Sequence, residues 1–236
     1  MAYALKNGIR YGLKFTKEDS IKFIGHLDLL KIFERAFMRS GLPMKYSQGF
    51  NPHQLISMAS PLSLGMTSSA EYAEAEFTKE VPEEEIRAKL NPYLPEGVKV
   101  LFAFRLAEGE KIGMGQMAAA LYTIDFKNLC TEEFLKENLP KYMALPQIIT
   151  EKKTKRGIKE TDIRPDIFEA CIHADDPRKM DVLLAAGSRA NLKPEVFAKG
   201  LFAYFGGNFS PNKLLVERKE IYRQKDNKFV PFKSGE

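Results

Sequence analysis

The order of strand-like and helix-like segments constrains the fold of this chain more than any other feature. Residues 9–15 alternate polar and apolar side chains, as a half-buried strand does. Residues 26–40 carry apolar side chains at helical spacing until Gly41 and Pro43 end the segment. The elements predicted after these are extended segments at 55–62 and 71–77, a helix at 82–94 and a strand at 98–105. This β-α-β-β-α-β order is typical of a ferredoxin-like domain.

The same order recurs in the second half of the chain, although no repeated sequence accompanies it. The predicted elements are a strand at 121–126, a helix at 131–145, an extra extended segment at 148–152, strands at 168–173 and 180–185, a helix at 194–205 and a strand at 214–222. We therefore predict an α+β protein of two tandem ferredoxin-like (βαββαβ) domains with antiparallel sheets. The predicted boundaries are a first domain over 1–106, a linker over 107–118, a second domain over 119–223 and a flexible tail over 224–236.

Composition excludes several classes of protein. The only cysteines, Cys130 and Cys171, cannot supply the three or four thiolates that hold an iron–sulfur cluster. They are also too few for a disulfide scaffold, which favours a reducing compartment, and we expect a cytoplasmic protein. The sequence contains no apolar run of about 18 residues, the length that a membrane-spanning helix needs. The net charge of +5 permits a nucleic-acid partner without requiring one.

Two histidines are candidates for acid–base chemistry. His26 begins the first predicted helix, where the helix dipole disfavours the imidazolium form. Asp28 follows in the first turn, and His53 ends a polar loop. If the fold brought His26 and His53 into one cleft, they could act as general acid and base. The alternative is that His26 only orients the turn before the helix. The spacing of these residues is not that of a known metal site, and we predict no metal and no cofactor.

Residues 46–53 form a predicted loop that is rich in side chains able to recognise an unpaired base. The turn signals Gln48-Gly49 and Asn51-Pro52 lie within it. Loops held by a rigid scaffold often carry function. The alternative is that the polar groups only satisfy the backbone of the loop. The candidate RNA contacts in the loop are Tyr46, Gln48, Phe50, Asn51 and His53.

Two basic segments are candidates for phosphate contacts. Residues 152–164 hold six basic and two acidic side chains, and Gly157 could form the tip of a hairpin. The candidate cations there are Lys152, Lys153, Lys155, Arg156, Lys159 and Arg164. A second group recurs every four residues along the first helix and consists of Lys31, Arg35 and Arg39. The alternative for the first segment is a solvated loop.

Several of these segments together resemble a known family, the radical SAM-linked uncharacterised proteins of bacteria. The similar segments are IKFIGHLD at 21–28, FERA at 33–36, GLP at 41–43, YSQGFNPH at 46–53, the stretch 60–72 and the stretch 155–165. This chain has Gly25 where the family more usually has serine. The resemblance implies as partner a radical-SAM protein of the kind that also has a cobalamin-type domain. It also implies an RNA setting in which tRNA or rRNA is modified. By fold analogy alone, the chain is also similar to the RAMP-like endoribonucleases that process CRISPR repeats.

Residues and resemblance together lead to one main expectation and two alternatives. The main expectation is an RNA-binding accessory or specificity protein that works with a radical-SAM enzyme and is not an enzyme on its own. The first alternative is a protein-interaction module that docks that partner without RNA contact. The second is a metal-independent RNA-processing enzyme that uses His26 or His53.

Overall fold

The structure, a computed structural model, describes residues 8–127, 129–154, 157–207 and 209–233. The chain divides into two compact units. The first unit comprises Met1–Gln116 and Phe232–Glu236, and the second comprises Met117–Pro231. Both units are α+β structures whose strands pair antiparallel. Among the described residues, no helix is both long and apolar enough to cross a membrane.

The described residues of the first unit form four strands and two α-helices in β-α-β-β-α-β order. These are β1 (Ile9–Lys17), α1 (His26–Ser40), β2 (Ile56–Met58), β3 (Thr67–Phe77), α2 (Glu83–Leu90) and β4 (Val100–Arg105). Strand β1 pairs with β3 and with β4, and β2 pairs with β3. The strands of this unit therefore lie in the order fourth, first, third, second.

The core of the first unit forms where alternating strand positions meet the apolar face of α1. Tyr11 and Phe15 face the core from β1 because side chains two apart on a strand share one face. The ring of Phe33 on α1 lies 4.7 Å from the ring of Phe15, and Tyr11 lies 5.2 Å from Phe77 on β3. All four rings are at most 1% exposed. This packing fixes α1 on the sheet and leaves its other face outward.

Replacing Tyr11 with phenylalanine should destabilise the first unit without changing its shape. The Tyr11 hydroxyl donates to the Val81 carbonyl at 2.9 Å and accepts from the Val81 N–H at 3.1 Å. Both residues are buried, so Tyr11→Phe leaves a buried donor and acceptor without a partner, which costs about 1–3 kcal/mol. Urea unfolding would measure this loss. Tyr93→Phe is the matched control, because Tyr93 is 45% exposed and should unfold as the wild type does. Equal stabilities for both variants would contradict the assignment.

The second unit repeats the element order with one insertion. Its elements are β5 (Ala119–Asp125), α3 (Glu132–Met143), β6 (Ile149–Thr154), β7 (Gly157–Asp162), β8 (Ile167–Ile172), β9 (Lys179–Ala185), α4 (Pro194–Phe205), β10 (Leu215–Lys225) and β11 (Lys228–Pro231). Strand β5 pairs with β9 and β10, β8 pairs with β9, and β11 extends β10. Without β6, β7 and β11, the strand order is again fourth, first, third, second. Strands β6 and β7 form a separate two-stranded hairpin.

Three segments can be compared with the expectations drawn from the sequence. Over the segment predicted to be extended at 55–62, only Ile56–Met58 forms a strand. The extra segment predicted at 148–152 is part of the β6–β7 hairpin, in agreement with the hairpin predicted around Gly157. The segment predicted as a flexible tail instead contains the end of β10 and all of β11, and it reaches Phe232, which is buried against Tyr72.

The predicted linker over 107–118 is also packed. Ile112 is buried and its N–H donates to Glu74 on β3 at 2.9 Å. Met117 is buried as well, and the division between the compact units falls between Gln116 and Met117. The glycine-rich and charged composition of residues 107–118 predicted a linker that packs against neither domain. The buried side chains of Ile112 and Met117 instead hold this segment in place.

Candidate nucleic-acid interface

The 46–53 loop is the outer part of a hairpin that stands on β3. Tyr46 and Gln54 pair across its base as an antiparallel bridge. Below them, the Lys45 N–H donates to the Glu76 carbonyl at 2.8 Å, and the Glu76 N–H donates to the Leu55 carbonyl at 2.9 Å. The Lys45 ammonium also lies 2.5 Å from the Glu76 carboxylate. These contacts attach the base of the loop rigidly to the sheet.

Ser47 and His53 close the loop above that base. The Ser47 N–H donates to the His53 carbonyl at 2.8 Å, and the His53 N–H donates to Ser47 Oγ at 3.1 Å. Ser47 Oγ is also 2.8 Å from His53 Nδ1. Gly49 has φ +126°, a backbone region that favours glycine. The closed turn holds Phe50 at its tip with a relative exposure of 106%, so its ring stands wholly in solvent.

Gln54 connects the loop to the middle of α1. Its side-chain amide donates to the Glu34 carbonyl of α1 at 3.1 Å and to the Tyr46 hydroxyl at 3.3 Å. Gln54 is only 5% exposed, and within the described part of the chain its Oε1 has no hydrogen-bond partner. The base of the loop is therefore attached to the backbone of α1 at Glu34.

The three cations predicted on α1 are all exposed. Lys31 lies 3.4 Å from Asp28, a solvent-exposed contact that contributes little to stability. Arg35 and Arg39 have no ion-pair partner among the residues that the structure describes. Two guanidinium groups free of carboxylates, on the helix that Gln54 joins to the loop, are available to an anionic ligand.

The structure does not bring the candidate acid–base residues into contact. His26 is the first residue of α1 and is half-buried, and Asp28 is exposed beside Lys31. Over the described ranges, no hydrogen bond joins His26 to Asp28 or to His53. Nor do the described residues contain a group of three His, Cys, Asp or Glu side chains that could hold a metal ion. Within the described ranges, His26 is thus the start of a helix and is not joined to the other two candidates.

Ser47 and His53 have the separation of a nucleophile and its base, but their bonding is that of a closed turn. Ser47 Oγ already accepts the His53 N–H, and in the described part of the chain no carboxylate orients the imidazole. Burial raises the pKa of Cys130 to about 11, so this thiol is protonated at neutral pH and is a poor nucleophile. The geometry of Ser47 and His53 is therefore that of a turn closed by hydrogen bonds.

The predicted basic finger of the second unit is the β6–β7 hairpin. Lys152 lies opposite Lys159 in the strand register, and Lys153 lies opposite Ile158. Lys155 and Arg156 lie outside the described residues. Arg164 is bound to the protein itself, because its guanidinium donates to the carbonyls of Met143 at 3.1 Å and Ile167 at 2.9 Å. Arg164 therefore anchors the base of the hairpin.

Two features of the surface were not predicted from the sequence. The first is that the 46–53 loop and the β6–β7 hairpin occupy corresponding positions, since each lies between the first helix and the second β-sheet strand of its unit. The element order could have revealed this correspondence. The second feature is an apolar cluster at the start of α1 that comprises Phe23, Leu27 and Leu64, each at least 65% exposed. The Gly65 N–H donates to the Lys22 carbonyl at 2.9 Å, which holds Leu64 near Phe23.

Comparison with known proteins identifies the family. No curated protein matches the chain. The model of one bacterial family matches residues 10–194, which include α1, the 46–53 loop and the β6–β7 hairpin. This match covers well over half of the 236 residues. The chain therefore belongs to the family described as "Uncharacterized protein conserved in bacteria (DUF2344)".

Proposed function

We propose that this chain binds RNA, with the 46–53 loop contacting an unpaired base and α1 contacting phosphates. The observation that carries the proposal is the position of Phe50. Its ring is fully exposed on a closed turn, and the turn is joined to the helix that carries Arg35 and Arg39. Single-stranded RNA is recognised by this combination of an exposed ring for the base and cations for the backbone.

The ring of Phe50 supplies the stacking surface of the proposed site. Stacking of a base on an aromatic side chain is worth about 1–3 kcal/mol and tolerates any base. Gln48, Asn51 and His53 are exposed around the ring and carry the hydrogen-bonding groups that could distinguish one base from another. Because Ser47 occupies Nδ1 of His53, Nε2 is the imidazole nitrogen that remains for a ligand.

The second unit is proposed to bind the same RNA through the β6–β7 hairpin. The β-α-β-β-α-β order of each unit supports our interpretation of the chain as two ferredoxin-like domains. Under this interpretation the 46–53 loop and the β6–β7 hairpin are insertions at equivalent positions. The hairpin carries Lys152 and Lys153 on β6 and Lys159 on β7, and these lysines are the proposed phosphate contacts.

The chemistry is proposed to come from a partner, a radical-SAM protein that modifies tRNA or rRNA in the cytoplasm. This part of the proposal rests on the resemblance of residues 21–72 and 155–165 to radical SAM-linked proteins. Two cysteines cannot hold an iron–sulfur cluster, so a radical-SAM reaction needs a second protein. The chain would then act as the specificity subunit.

Binding of RNA oligonucleotides at several salt concentrations tests the proposal. We expect single-stranded RNA of mixed sequence to bind, with an affinity that falls steeply from about 50 to 200 mM salt because counterions are released from the phosphates. A duplex of the same length should bind more weakly, since its bases cannot reach Phe50. Absence of binding at low salt, or binding that salt does not weaken, would overturn the proposal.

A second candidate function, protein docking without RNA contact, is favoured by the apolar cluster of Phe23, Leu27 and Leu64. Exposed apolar groups that lie together often mark an interaction surface. This candidate predicts a complex with the radical-SAM partner that survives purification, together with no RNA binding. Phe23→Ser would then release the partner, whereas Phe50→Ser would not.

A further inference from the structure

The outer face of α1 has a sequence pattern that is complementary to itself. Leu27, Lys31, Glu34 and Met38 follow one another at steps of four, three and four residues. This is the spacing of the contact line between two paired helices. The opposite face of the helix is committed to the core through Leu29, Phe33, Ala36 and Phe37. Only the outer line is therefore open to another helix.

The side chains on this line have little else to contact. Leu27 and Met38 are 69% and 66% exposed, so both side chains are accessible to a partner. Lys31 has only its loose contact with Asp28, and the carboxylate of Glu34 has no ion-pair partner among the described residues. The line thus has an apolar residue at each end, with a loosely paired cation and an anion between them. It suits a partner that carries the same groups in reverse order.

We propose that a second copy of this chain docks on this face, with its α1 antiparallel to the first. A two-fold axis between Ile32 and Phe33 would set each Leu27 against Met38 of the second copy. The same axis would set each Lys31 against Glu34 of the second copy. Every apolar residue on the line then meets an apolar residue, and every charge meets its opposite.

Two further observations favour antiparallel over parallel pairing of the two helices. Asp28 and Arg35 lie on one side of the line, where antiparallel pairing brings them toward each other across the axis. A parallel arrangement would set Lys31 against Lys31 of the second copy, and the two like charges would repel each other. Charge complementarity of this kind determines partner and orientation more than affinity. Two short helices bury less than the roughly 1,600 Å² of a standard interface, so the dimer should be weak.

A charge-swap experiment tests this inference in the absence of RNA. Sedimentation velocity on the full chain from about 5 to 200 μM should show a monomer–dimer equilibrium. Lys31→Glu alone and Glu34→Lys alone should each weaken dimerisation by about tenfold or more, because like charges then meet twice. The double variant Lys31→Glu/Glu34→Lys should restore the affinity to within about threefold, since the opposite charges meet again.

Two further variants make the result decisive. Leu27→Asp should also give a monomer, because it places a carboxylate in the apolar contact. Lys136→Glu, on α3 of the second unit, is the control for net charge and should dimerise as the wild type does. A wild type that stays monomeric at the highest concentration would overturn the inference. So would a double variant that dimerises no better than the single ones. The dimerisation test contains no RNA, so either proposal can fail alone. If both hold, RNA and the second copy compete for Arg35 on α1.

Discussion

Replacing Arg35 and Arg39 together with glutamate is expected to lower the affinity for single-stranded RNA by about 100-fold at 50 mM salt. Each substitution removes a cation that contacts a phosphate and puts a carboxylate in its place. Two lost contacts should also reduce the slope of log K against log salt by about 1.4. Fluorescence anisotropy with a labelled oligonucleotide, repeated across salt concentrations, measures both quantities.

The matched control for this double variant lies on α2 of the same unit. Arg87→Glu with Lys89→Glu changes the net charge by the same amount, but these cations are paired with Glu84 and Glu85 in the wild type. We expect this control to lose only a few-fold in affinity, through the change in overall charge. If both double variants weaken binding equally, RNA is attracted by net charge and α1 is not its binding surface.

Phe50→Ala is expected to weaken RNA binding by about tenfold or more while leaving the salt slope unchanged. The loss corresponds to one base–ring stack of about 1–3 kcal/mol. The slope should stay constant because phenylalanine contacts no phosphate. The fold should be unaffected as well, since the Phe50 ring is fully exposed and its removal opens no cavity.

Two variants separate stacking from general apolar contact. Phe50→Tyr keeps an aromatic ring and should bind within about threefold of the wild type. Phe23→Ala removes another exposed ring of the same unit, 67% exposed, but outside the loop, and should bind RNA normally. Equal losses from Phe23→Ala and Phe50→Ala would show that the Phe50 ring has no special role.

The positions of the helices and most strands could be predicted from local patterns. Helix α1 was predicted with its observed bounds because its apolar spacing and the Gly41 ending are local signals. Strand pairing was accessible only through the element order, and the packing of residues 107–118 depended on contacts with distant strands. The end of the chain was interpreted as a tail because its polar composition hides the pairing of β11 with β10.

The candidate site was predicted less completely than the fold. The 46–53 loop and the α1 cations were recognised from residue type, and the structure shows them joined through Gln54. A link between Gln54 and a helix carbonyl has no signature in the sequence. Arg164 was grouped with the phosphate-binding cations because charge alone does not reveal that a guanidinium donates to two backbone carbonyls.

Photo-crosslinking of a 4-thiouridine-containing single-stranded RNA, followed by mass spectrometry of the full chain, tests the central claim most directly. We expect the crosslinked nucleotide to map to residues 46–53, with Phe50 the principal site because its ring would stack on the base. Phe50→Ala should abolish that crosslink. Crosslinks confined to other surfaces, or none at a concentration that saturates binding, would contradict the account.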